Sequence, residues 1–139
     1  MISPIKSSNS FNCKRDILKI IPEGSVVSTF LFFDGELDLW LAEADRFVSA
    51  HTNKYVIYEF WKCVEESPER LIETTKFIQE RTQDSPDMLY LLQESWATHK
   101  NPYIRSALFF LLNTYSSLNL VSSGRLNMDK FNPISLHRL

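Results

Sequence analysis

Apolar positions in the first fifty residues change their period more than once. Between Asn12 and Ile21, Ile17, Leu18, Ile20 and Ile21 gather near one face, Lys14, Arg15 and Lys19 fall mostly elsewhere, and Pro22 ends the pattern. This spacing predicts a helix. Glu23-Gly24 is a turn signal, and Val26 to Phe33 is a β-branched and aromatic run with the composition of a buried strand. After Gly35, the residues Leu37, Leu39, Trp40, Leu41 and Ala44 can pack turn after turn along a helix from Glu36 to Ala44, although strict alternation from Glu36 to Leu41 also admits a strand. Phe47 and Val48 form a second, weaker strand candidate. The polar run His51-Thr52-Asn53 then suggests a loop that caps the next helix.

From Lys54 to Glu66 the apolar positions Tyr55, Val56, Phe60, Cys63 and Val64 keep helical spacing. Ser67-Pro68-Glu69 restarts a helix, with Ser as cap, Pro in the first turn and an acid near the positive helix end. The same grammar recurs at Ser85-Pro86-Asp87, opening a helix to about Thr98, and at Asn101-Pro102, opening one to about Ser116 with Ile104, Leu108, Leu111 and Leu112 inward. The tail from Met128 carries apolar residues at Phe131, Ile134, Leu136 and Leu139 with which to dock. Two strand candidates against about six helical segments predict a helix-rich α/β fold. No repeat or Gly/Ser linker divides the chain, which reads as a single domain over residues 1–139.

Composition narrows the function classes. A hydrophobic fraction of 44%, with ten Phe, five Tyr and three Trp, provides ample apolar area for a core. A net charge of −2 supplies no global field to draw in a phosphate backbone, so DNA is not favoured by charge. Were DNA bound, Lys14, Arg15, Lys19 and Arg125 would be the candidate phosphate contacts. The only cysteines, Cys13 and Cys63, match neither a zinc spacing nor a disulfide framework, and no apolar run is long enough for a signal peptide or a spanning helix. The expectation is a cytoplasmic protein with free thiols and no membrane contact.

Several segments in order resemble Dam-type adenine-specific DNA methyltransferases: Asn12 to Pro22, Thr29 to Ala42, Ser49 to Val64, Ser67 to Glu73 and Asn101 to Leu139. That family has a lysine-bearing helix before a strand ending in an EPF-GxG pattern; the matching stretch here is Ser28-Thr29-Phe30-Leu31-Phe32-Phe33-Asp34-Gly35. A D-x-N pattern follows the next family strand, and here it is His51-Thr52-Asn53. The family's asparagine-bearing helix and following turn resemble Phe109 to Asn119.

The resemblance implies a truncated Rossmann-like fold with a small residual sheet, in which the methyl-transfer chemistry is lost. S-adenosylmethionine needs a Gly-rich turn that admits close backbone approach, whereas the matching turn carries Phe32, Phe33 and Asp34, and only the Phe and one glycine, Gly35, of the family pattern are kept. His51 stands at the ribose-binding acid and accepts one hydrogen bond where a carboxylate accepts two, leaving Asn53 as the remaining match. The D/N-P-P-Y/F loop that holds a flipped base is missing; Asn101-Pro102-Tyr103 lacks one proline and falls at a helix start. No cofactor and no metal are therefore expected.

The resemblance thus implies an inactive binding, regulatory or structural module acting through protein–protein contacts, either with itself or with another chain, and plausibly of phage origin. The alternatives are one half of a split methyltransferase and a non-catalytic DNA-binding protein. Interface candidates are Trp40, Tyr58, Trp61, Phe131 and Leu139. The triplet Asp34, Glu36 and Asp38 reads as a solvated face rather than a cation site, and Phe109 and Phe110 read as core.

Overall fold

A computed structural model describes residues 3–5, 13–30, 34–82, 87, 90, 93–94 and 96–115. It is helix-rich, with one small parallel sheet, and belongs to the α/β class. The chain groups into two compact units that part between Asn53 and Lys54.

The first unit contains α1 (Lys14–Ile20), β1 (Val26–Thr29), α2 (Glu36–Glu43) and β2 (Phe47–Ala50). Helix α1 stops before Pro22, as the pattern predicts. Its last carbonyls are met by Arg46, whose guanidinium donates to the carbonyl oxygens of Leu18 and Ile21, a placement that suits the negative end of a helix. Strands β1 and β2 run parallel, with Val26 opposite Phe47 and Thr29 opposite Ala50. Parallel neighbours require a crossover, and α2 supplies it, packing on β2 with Leu41 buried. The region from Glu36 to Leu41 is thus helix rather than strand. The turn back into β2 is made at Asp45, whose φ of 60° lies in the left-handed region that Asp tolerates better than most residues.

One expectation for this sheet is overturned. The β1 run has the composition of a buried strand, yet exposure alternates along it, and Val26 is 75% exposed. Among the described residues the sheet has two strands and α2 packs on one face, so Val26 and Phe47 on the other face stay exposed.

The second unit contains α3 (Tyr55–Glu66), α4 (Pro68–Thr82), a short 3-10 turn (Trp96–Thr98) and α5 (Pro102–Tyr115). Helix α5 packs against both α3 and α4, and every residue from Ser106 to Asn113 is buried, the signature of a central helix apolar around most of its circumference. Phe60 of α3 meets Phe109 edge-on at 5.6 Å and stacks with Phe110 at 6.4 Å, while α4 adds Leu71 and the buried Thr75 and Gln79. The inward face of α3 is Ile57, Phe60 and Cys63, joined by Glu59; Tyr55, expected inward from its spacing, is instead 69% exposed. The N-cap of α3 is Lys54, one residue past the polar run expected to cap it, and the Lys54 side chain makes no cap hydrogen bond. At α5 the predicted cap is present: Asn101 Oδ1 accepts the Tyr103 amide at 2.9 Å.

Candidate functional site

The positions singled out by the sequence meet at the carboxyl ends of β1 and β2, where open α/β sheets place their ligands. Gly35 sits at the N-cap of α2 with φ 70°, the left-handed conformation that glycine adopts without strain. Beside it, Asp34 Oδ1 accepts the Glu36 amide at 3.1 Å. A carboxylate of the chain therefore already occupies the positive end of α2, which removes the vacancy an anionic ligand would use. Phe32 and Phe33 lie outside the described residues.

Asp38, one turn further, is half-buried and accepts a hydrogen bond from the Thr29 hydroxyl. Burial pushes its carboxyl above the usual aspartate range and the Asp34 charge adds to the push, while the Thr29 hydrogen bond opposes them. The acidic triplet is thus divided between a helix cap at Asp34 and a strand contact at Asp38. Among the described residues no group of three His, Cys, Asp or Glu side chains is arranged to hold a metal ion.

At the end of β2, the His51 amide donates to the Thr29 carbonyl at 2.8 Å and continues the ladder. Its exposed ring stacks on Phe30 at 5.1 Å, with planes 14° apart, and Nε2 lies 3.2 Å from Ser49 Oγ. Asn53 is exposed in the bend that follows.

These contacts belong to a larger surface. The two strands turn Val27, Thr29 and Val48 inward, as the Thr29 hydroxyl on Asp38 shows. Their other face carries the rows Val26 with Phe47 and Ser28 with Ser49, and just past the strand ends Phe30 stacked on His51 extends it as a third row, all exposed. Phe30 is 74% and Phe47 69% exposed. Parallel sheets are ordinarily covered on both faces, so this bare ladder is the most unusual surface among the described residues.

The other candidates scatter. Tyr58 is exposed on α3, Trp61 is half-buried, and Trp40 on α2 is half-buried; Phe131 and Leu139 lie outside the described residues. Of the proposed phosphate contacts, Lys19 pairs with Asp16 at 3.0 Å and Arg15 is exposed, while Arg125 is not described. The Asn101-Pro102-Tyr103 motif is a helix start, with Tyr103 buried beneath the Arg70 guanidinium, 4.3 Å from its ring centre. A shallow groove of about 370 Å³ between α4 and α5 is lined mainly by Phe77, Ile78, Thr74 and Ile104, and its one guanidinium, Arg70, is the group already lying over Tyr103.

Two features have no signal in the sequence. One is the exposed apolar ladder, since β-branched and aromatic strands ordinarily face a core. The other is a largely buried ion pair between Glu59 and Arg105.

No family model matches the chain, and neither a curated protein nor a solved structure is significantly similar to it. Among the described residues, no helix is long and apolar enough to cross a membrane.

Proposed function

We propose that this chain is a catalytically inactive module, related to the front half of a DNA adenine methyltransferase, that works through protein–protein contacts made by the bare face of its parallel ladder. The observation that carries the reading is that face: Val26 stands beside Phe47, Phe30 lies on the same face beyond the Ser28–Ser49 row, and all three apolar side chains are more than two-thirds exposed. Single exposed apolar residues are common on protein surfaces, but a contiguous patch of a few hundred Å² marks a contact site.

The kinship rests on element order. Helix, strand, left-handed glycine turn, helix, second strand and His51 at its carboxyl end follow the family's sequence of parts, and a truncated Rossmann-like sheet is the fold this implies. Loss of cofactor binding is supported by chemistry at two positions. Asp34 takes the amide at the start of α2, and the His51 ring lies against Phe30 instead of presenting a carboxylate to ribose.

Titration calorimetry with S-adenosylmethionine and sedimentation of a Phe47→Lys variant test the two halves of this reading. The expected results are no heat of binding, and association lost in the variant with circular dichroism unchanged. One-to-one binding at micromolar concentration would overturn the inactive reading in favour of a split enzyme, and association indifferent to Phe47 would overturn the ladder as the contact site.

A further inference from the structure

We infer that the occupant of the bare ladder face is a second copy of this chain, docked across a two-fold axis that runs between the two sheets, perpendicular to the strands and level with Ser28 and Ser49. The inference rests on the protein-contact reading above and names the partner. Three properties of the face lead to it.

The first is its shape. The outer rows, Val26 with Phe47 and Phe30 with His51, are bulky, and the middle row, Ser28 with Ser49, is small. Rotation about such an axis sets Val26 of one copy against Phe30 of the other, Phe47 against His51, and the serines against their own copies. The bulky rows of the two copies are thereby brought against one another at the ~10 Å spacing of stacked sheets, and each copy presents the same patch, as a two-fold contact requires.

The second is charge. None of the six side chains is Asp, Glu, Lys or Arg, so two copies of a chain with net charge −2 meet on this face without a like-charge pair.

The third is area. With roughly 150–250 Å² offered by a fully exposed aromatic side chain, Phe30, Phe47, Val26 and His51 present on the order of 500 Å² per copy, and two copies bury on the order of 1,000 Å², where specific interfaces begin. The dimer is accordingly expected to be modest in affinity and concentration-dependent.

The test uses the full chain. Sedimentation equilibrium is expected to give a dimer that dissociates on dilution, and Phe47→Lys, which sets an ammonium against His51 of the other copy, or Val26→Glu, which sets a carboxylate against its Phe30, should raise the dissociation constant at least about 100-fold by burying a charge without a partner. In a Cys13→Ser background, Ser28→Cys should be joined between copies by a short bifunctional maleimide, because Ser28 faces its own copy at the waist. A dimer unaffected by both charge substitutions and not linked at Ser28→Cys would overturn the inference. A wild-type monomer at high micromolar concentration would also overturn it; if Phe47→Lys then abolished a contact with a different protein, the ladder would remain the contact site and only the second copy would be lost. If no association of any kind responded to Phe47→Lys, both readings would fall together.

Discussion

Arg105 on α5 donates from Nε to Glu59 Oε1 on α3 at 2.7 Å, joining positions 46 apart in sequence, and the same guanidinium also donates to the second carboxylate oxygen and to the His99 carbonyl. The Glu59 side chain is 7% exposed, so its charge is out of water and depends on its partners, Arg105 first and the Tyr55 hydroxyl beside it. Arg105→Ala should therefore destabilise by about 2–4 kcal/mol, because it strands a buried carboxylate. Pairing it with Glu59→Leu should recover part of the loss, since no buried carboxylate is then left without its partner. Urea unfolding of the two single variants and the double variant checks this.

Asp38 sets a pH dependence of the opposite sign to that of a salt-bridged aspartate. Burial raises its carboxyl above the unfolded value, so the folded chain holds this proton over a window in which the unfolded chain has released it. The resulting contribution to stability is full below the unfolded value and is lost as pH rises through the folded one. Asp38→Asn, which still offers an oxygen to Thr29, should match wild type at acid pH below the unfolded aspartate value, gain on it as pH rises through the raised folded value, and hold a constant advantage above that. Thermal melts across that range measure the difference; an offset constant through the whole range would refute the assignment.

Asn101 caps α5 with its side chain, as its place before Pro102 predicts. Replacing it with Ala leaves the Tyr103 amide without its acceptor and should cost about 0.5–2 kcal/mol, whereas Asn101→Asp should be nearly neutral. Chemical denaturation of both variants provides the comparison, and equal losses would mean that the side-chain oxygen does not matter.

The two thiols should differ sharply. Cys63 is buried among the α3 and α5 side chains, 3.4 Å from Ser106 Oγ, and burial pushes its thiol up, while Cys13 is exposed. Alkylation at pH 7.5 should modify one cysteine per native chain, at Cys13, and two in denaturant, as mass spectrometry reads directly. Rapid native labelling of Cys63 would indicate local opening between α3 and α5.

The sequence by itself determined the identity of most of the described elements. Pro22 and the Asn101-Pro102 start bound helices because proline restricts backbone torsion and short polar side chains satisfy free amides, effects that act within a few residues. The strand candidates at Val26 and Phe47 were legible for the same local reason. Tertiary structure alone decided which way those elements face. Composition draws Val26 and Phe47 toward a core, but their exposure depends on what packs on the ladder, and among the described residues a single crossover helix packs on it, away from these two side chains. It also decided the partners of Glu59 and Asp38, because burial and ion pairing join residues through space, and no periodicity in the chain records a distance between positions 59 and 105.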